Sequence, residues 1–332
     1  MHHSRRALLA LPALIAATRL AAQSRWDSVA DAAAGLGQLH CVMIAQNGQT
    51  VLSRRVRGPS MESPANVKSV SKTLLATLAG TAVDRGEIPG LGATLGELAP
   101  GLVPAGADPR VAGLTVENLL SLQAGLERTS GGNYGAWVSS SDWVADALSR
   151  PFVAQPGARM LYSTGTTHVM GAVLAEVTGQ SLLELARDRL GDPLDMPFAP
   201  WVADPQGYYL GGNDMATTPA GLLRFAEMIR QGGSLEGRRV VSSGWIDESL
   251  RPRTRSPYSG LDYGLGWFLG RSRGTRIALA RGYGGQIAAI VPDLSLSVVI
   301  LSDPTRPARS EGYFGDLMAL LTDRILPAAR AA

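Results

Sequence analysis

Apolar runs of strand length stand at the two ends of this chain, and helical spacing fills the middle. Near the start, Cys41–Ala45 and Thr50–Val56 are joined through Asn47-Gly48, a pair that tolerates positive φ and so predicts a tight hairpin. Near the end, Tyr263–Leu269, Arg276–Ala280, Gln286–Val291 and Ser295–Leu301 read as further strands with turn residues between them. Helical spacing marks Ser28–Leu39, Lys72–Val83, Thr115–Gln123, Ser141–Leu148, Thr167–Val177, Leu182–Leu190, Pro219–Arg230 and Tyr313–Ile325. Strands at both ends with helices between them predict an α/β (α+β) protein with one antiparallel sheet assembled from both termini. The sheet domain is expected from residues 23–66 and 206–330, a mostly helical domain from 67–205, and a site in the cleft between them.

The 332 residues, 45% hydrophobic and 18% charged, are enough for a sizeable core. A formal net charge of only +3, spread without a basic block, points away from nucleic acid. Residues 1–22 read as a signal peptide. Arg5-Arg6 precedes an apolar stretch too short to span a bilayer, with small residues at Ala21-Ala22. The arginine pair resembles a twin-arginine signal, so the mature protein is expected to be exported to the periplasm without a membrane span. Cys41 is the only cysteine and lies in an apolar run, as expected of a buried strand residue rather than a reactive thiol.

Lysine carries the chemical signal. Of 31 basic residues only Lys68 and Lys72 are lysine; the other 29 are arginine. Arginine cannot release its proton in a protein, whereas a desolvated lysine can, so a lysine kept against this background points to proton chemistry. Lys72 closes Ser69-Val70-Ser71-Lys72 at the entry to an apolar helix. Residues three apart on a helix are neighbours, so Lys72 reaches the Ser69 hydroxyl. Burial and the helix N-terminus both favour a neutral amine able to take the serine proton. With 27 serines in the chain, such spacing arises by chance about one time in six, so the motif needs support from elsewhere.

That support comes from an ordered set of landmarks. Lys68-Ser-Val-Ser-Lys-Thr73 resembles the nucleophile motif of class C β-lactamases and of the esterases and amidases related to them. Leu114–Leu126, Tyr162-Ser163-Thr164, Gly211-Gly-Asn-Asp-Met215, Tyr263-Gly-Leu-Gly-Trp267 and Ala280-Arg-Gly-Tyr-Gly-Gly-Gln286 follow in the order of that family. The resemblance implies a β-lactamase/penicillin-binding-protein-like fold and a cofactor-free, metal-free serine hydrolase. Ser69 would be acylated, Lys72 and Tyr162 would move the proton, and Thr164 would support Lys72. The amides of Ser69 and Tyr283 would form an oxyanion hole. The chain departs from the penicillin-recognising pattern in its third motif, where the usual lysine is missing; Arg281 is the candidate to stand in its place. The stretch instead resembles relatives of 6-aminohexanoate-dimer hydrolase and carboxylesterases.

The implied partner is a small-molecule ester or amide. The rival readings are a β-lactamase or D-alanyl-D-alanine carboxypeptidase, and a penicillin-binding-like sensor without turnover. Tyr134 and Trp137, in a Gly/Ser-rich loop, are candidates either to line the cleft or for ordinary loop packing, while Lys68 is expected as a surface charge at the helix entry rather than a catalyst. His40 and His168 read as structural, and no Gly-x-Ser-x-Gly elbow, phosphate loop or metal spacing is present.

Overall fold

The computed structural model describes residues 24–309 and 311–331, so the segment 1–22 expected to be a signal peptide lies outside the described residues. Strands β1 (Leu39–Gln46) and β2 (Gln49–Arg55) form the expected hairpin, with Asn47 and Gly48 at φ 53° and 77°. Six later strands complete the sheet: β3 (Thr254–Arg255), β4 (Asp262–Tyr263), β5 (Phe268–Ser272), β6 (Thr275–Gly282), β7 (Gln286–Val291) and β8 (Leu296–Ser302). The order is β2-β1-β8-β7-β6-β5-β4-β3, antiparallel throughout, so the two ends of the chain meet where β1 pairs with β8.

Both faces of this sheet are covered, which explains why its central strands read as continuous apolar runs rather than alternating ones. Along β1, Cys41, Met43 and Ala45 join one core cluster and Val42 and Ile44 the other. The first cluster contains helices α2 (Ser71–Asp84) and α4 (Pro219–Arg230); α3 (Thr164–Thr178) packs into it from the helical region. The second holds α1, at 24–34, and the C-terminal helix beginning as α5 (Tyr313–Ala319). Burial pushes the Cys41 thiol up to about 11, in keeping with an inert strand residue.

Several elements differ from expectation. Helix α1 is already formed at Ser24, the first described residue and four before the expected start, and it stops before Gly35. The strand expected at Tyr263–Leu269 is broken at Gly264–Trp267. There Thr73 Oγ1 donates to the Gly266 carbonyl at 2.6 Å, and a Cβ on Gly264 or Gly266 would lie 2.1 Å from Ser249 O or 2.9 Å from Lys72 O. The break lets the chain press against α2 where a regular strand could not. The C-terminal helix continues through a wide turn, Leu320–Ile325, to Leu326–Arg330. Pro327, which has no N–H to continue the helical ladder, follows directly on that wide turn. The expected helix at Thr115–Gln123 is reduced to Val116–Leu120, started by a capping box between Thr115 and Asn118 and ended as Leu122 turns to φ 61°.

Helix α2 is the hub. Its residues Ser71–Ala82 are all buried, so it is enclosed on every side, and its polar members Ser71, Lys72, Thr73, Thr77 and Thr81 are buried with the rest. Its N-terminus meets the end of β6: a Cβ on Gly282 would lie 2.4 Å from Val67 O and 3.0 Å from Lys68 Cβ. Only glycine lets the strand approach the turn that carries Ser69.

Candidate active site

Ser69 sits in a short turn, Lys68–Val70, immediately before α2. Lys68 adopts φ 51°, a left-handed conformation that costs a non-glycine residue on the order of 1 kcal/mol. Side chains hold it there: Asn66 Oδ1 accepts from the Lys68 amide at 2.8 Å, and Ser71 Oγ donates to the Lys68 carbonyl at 2.5 Å. The Ser69 side chain is thereby turned to the wall of a cleft of about 760 Å³.

Lys72 follows one turn later and is 2% exposed. Its Nζ lies 3.2 Å from Ser69 Oγ, 3.3 Å from Thr164 Oγ1 and 2.7 Å from the Gly212 carbonyl oxygen. Burial pulls its pKa from 10.5 down to about 7, with Asp214 opposing the shift. A neutral amine has two N–H donors and one lone pair. The Gly212 carbonyl can only accept, so it takes one N–H, and the Thr164 hydroxyl can take the second. The lone pair is left for the Ser69 proton.

Tyr162 shares a hydrogen bond with Ser69, and the Lys72 ammonium position is 4.9 Å from its ring centroid. Burial raises the phenol pKa, against the opposing effects of Ser69 and Arg281, so the hydroxyl keeps its proton at neutral pH. Thr164 opens α3, and its neighbour is Ser130: the hydroxyls are 3.1 Å apart, and the Thr164 amide donates to Ser130 Oγ at 2.9 Å. Ser130 lines the cleft.

Tyr283 follows β6 directly, and its side chain is 53% exposed at the cleft rim. Among the described residues, neither its amide nor that of Ser69 donates to another protein group, so both are available to an oxyanion. Gln286 locks the glycine turn that follows. Its amide accepts from the Ser302 N–H at 3.0 Å and donates to the Ser302 carbonyl at 2.9 Å.

Arg281 also lines the cleft, 3.6 Å over the Phe314 ring and 5.0 Å from that of Phe268. Burial lowers its pKa to about 10, and its guanidinium has no hydrogen bond or carboxylate partner among the described residues. Tyr134 lines the same cleft, where its hydroxyl accepts from Asn213 Nδ2 at 3.2 Å.

Of the two readings open for Trp137, the structure selects packing. Trp137 does not line the cleft; it is fully buried against Trp143 and Leu210, its indole N–H on the Trp143 carbonyl. Lys68 is a partly exposed helix-entry charge with a partner. Its Nζ pairs with Asp214 at 2.8 Å on the cleft wall, its side chain 23% exposed. Sequence reading also missed Ser130 and gave no role to Gly211–Asp214. The latter supplies the carbonyl on Lys72, the amide on Tyr134 and the carboxylate on Lys68. Two adjacent glycines followed by Asn-Asp were the available signal. Ser130 stands in a loop 34 residues before Thr164 and has no such mark. Among the described residues no cluster of three or more His, Cys, Asp or Glu could hold a metal ion.

Comparison with known proteins places this architecture. The Beta-lactamase family model matches residues 29–322. A search of the curated proteins finds no match. Among solved structures, a Bacillus anthracis protein named for 6-aminohexanoate-dimer hydrolase superposes with a TM-score of 0.74 at 17% identity, covering 89% of this chain and 79% of its own. A hydrolase with promiscuous acyltransferase activity gives 0.73 at 19%, with 91% and 98% covered. A family VIII carboxylesterase gives 0.68 at 19%, with 89% and 97% covered. At such identities the structural likeness is one of fold, and the family model sets the affiliation: this chain belongs to the beta-lactamase family.

Proposed function

We propose that this protein is a serine hydrolase that cleaves a carboxylic ester or amide through an acyl-enzyme on Ser69. The observation that carries the reading is Lys72, buried with its Nζ 3.2 Å from Ser69 Oγ and with a pKa brought down to about 7. A lysine in that state takes the Ser69 proton as the oxygen attacks the carbonyl carbon. The developing oxyanion is met by the Ser69 and Tyr283 amides. Tyr162, protonated and hydrogen-bonded to Ser69, then gives a proton to the leaving oxygen or nitrogen and is resupplied from Lys72. Water repeats the sequence on the acyl-enzyme, with the same groups acting in reverse. Arg281 offers a cation without a carboxylate partner to an anionic part of the substrate, and Tyr134 offers it an aromatic surface in the same cleft.

A fluorophosphonate probe should add to Ser69, seen as a mass shift on the peptide that carries it, and Ser69→Ala should abolish both the adduct and p-nitrophenyl ester hydrolysis. An unlabelled Ser69 in an active enzyme would overturn the reading. Short p-nitrophenyl esters are expected to turn over faster than a chromogenic cephalosporin. The reverse order would make the protein a β-lactamase, and a stable Ser69 adduct without turnover would make it a sensor.

A further inference from the structure

The mechanism above leaves one buried pair unused. His168 and Asp204 have fully buried side chains with Nε2 2.9 Å from Oδ2, behind the catalytic groups. His168 lies on α3, one turn past Thr164. Its other nitrogen, Nδ1, is 3.2 Å from the Gly211 amide nitrogen. An amide N–H can only donate, so Nδ1 must be unprotonated and the ring proton must sit on Nε2, directed at Asp204. The second Asp204 oxygen accepts from the Gln206 and Tyr208 amides at 3.0 and 2.8 Å, which fixes the carboxylate.

From Gly211 the line runs straight to the site. The Gly211 carbonyl accepts from Thr167 Oγ1 at 3.1 Å, and the next carbonyl, of Gly212, accepts from Lys72 Nζ at 2.7 Å. Both glycines are demanded by the close approach. A Cβ on Gly211 would lie 2.6 Å from Thr167 O, and one on Gly212, at φ +88°, 2.2 Å from Thr167 Oγ1 and 3.0 Å from Lys72 Cγ. The Gly212 carbonyl is the shortest contact of the amine and the one partner that can only accept.

We infer that His168 and Asp204 are positioning residues: through the Gly211 amide they set the Gly212 carbonyl, which orients the Lys72 amine with its lone pair toward Ser69. This rests on the reading of Lys72 as the base.

Asp204→Asn tests it without changing volume. The Asn oxygen stays with the two backbone amides, so its NH₂ faces Nε2 and drives the ring proton to Nδ1, where it opposes the Gly211 N–H. Imidazole ¹⁵N shifts should report that swap. With only two lysines in the chain, ¹³C-labelled lysine gives one signal each for Lys68 and Lys72. Withdrawing a carbonyl that stabilises the ammonium should move the Lys72 titration to lower pH and leave Lys68 where it was. Asp214, Tyr162 and, beyond Asp214, Lys68 are the titratable groups around Lys72, and all are unchanged. The acylation rate should fall about 10- to 100-fold, the scale expected when a catalytic group is misplaced by an ångström or less.

Loosened packing would admit water and raise the Lys72 titration instead, so the sign separates positioning from mere structure. His168→Asn keeps an acceptor near the Nδ1 position and should acylate within about tenfold of the native enzyme, while His168→Leu falls with Asp204→Asn. If His168→Leu does not fold, the other two variants decide. A ring that keeps its Nε2 proton in Asp204→Asn, a swapped ring with Lys72 titration and acylation unchanged, or a Lys72 titration moved upward overturns the proposal. Failure of the underlying reading looks different: Lys72→Arg would still acylate, whatever the imidazole does.

Discussion

Lys68 and Lys72 are four residues apart, share a side-chain type, and stand on either side of Ser69 in opposite electrostatic settings. Lys68 has its Nζ at the cleft mouth, 2.8 Å from Asp214, partly in water and paired. Lys72 is one turn further in, with hydroxyls and a carbonyl but no carboxylate within hydrogen-bond reach, and burial takes its pKa to about 7. A paired, hydrated lysine is a fixed charge. A buried lysine given only neutral acceptors is a base at neutral pH. What separates them is the depth of one helical turn.

The sharpest way to break this comparison is to replace each lysine by arginine. At Lys72, arginine keeps a charge but cannot take a proton, and its larger head must fit where nothing is loose. Acylation should fall about 10²–10⁴-fold, the span of a lost general base. At Lys68, arginine can still pair with Asp214, and acylation should stay within about tenfold. Burst kinetics with an activated ester would measure both, and an active Lys72→Arg enzyme would remove the distinction. The native pH profile carries the same signature: kcat/KM should rise with pH through about 7 as Lys72 loses its proton.

Replacing Lys72 by Met should also stabilise the fold. The folded pKa of about 7 lies below the ordinary 10.5, so between these values the unfolded chain binds more protons than the folded one. Stability therefore rises with pH across that window, and the penalty of burying Lys72 is fully present below about pH 7. Lys72→Met removes it, with a gain on the order of a few kcal/mol at neutral pH that shrinks as the pH approaches 10. Urea titrations at pH 7 and pH 9.5 would show the difference, and equal stability at both would mean that Lys72 is not desolvated.

The parts of this site that could be read from the sequence are those in which chemistry is local. Ser69 and Lys72 lie three residues apart at one helix entry, and the lysine-poor background singles out the second of them. The sheet was legible for a similar reason: β1 and β2 carry their own turn, and β7 is an unbroken apolar run. What closes the site around Lys72 is non-local. The Gly212 carbonyl is backbone and has no side-chain signature. Ser130 is one of 27 serines, and only the fold sets it on Thr164. His168 read as structural because a sequence cannot show that its ring bridges Asp204 and Gly211. Trp137 could not be decided from the sequence, because an aromatic in a polar loop looks available until Trp143 and Leu210 enclose it. Strand Tyr263–Leu269 was misread for want of the same knowledge: Gly266 serves contact with α2 and Gly264 contact with the backbone at Ser249 and Arg251, not the sheet.

The smallest expected effect tests the coupling between the two lysines. Asp214 pairs with Lys68 and also raises the pKa of Lys72, so it tempers the base it does not touch. Asp214→Asn keeps the shape and hydrogen-bonding capacity while removing the charge. Lys72 then loses a favourable interaction of its ammonium form, and the positive charge of Lys68 is no longer offset. Both changes act in one direction, so the acid limb of kcat/KM should move to lower pH. The plateau should change little, and activity at pH 6 should rise about two- to threefold, as expected for a charge acting across several ångströms of partly solvated protein. A limb moved to higher pH would show that Asp214 serves to keep water from Lys72 by holding the mouth of the cleft closed, and that the two lysines are coupled through packing rather than charge.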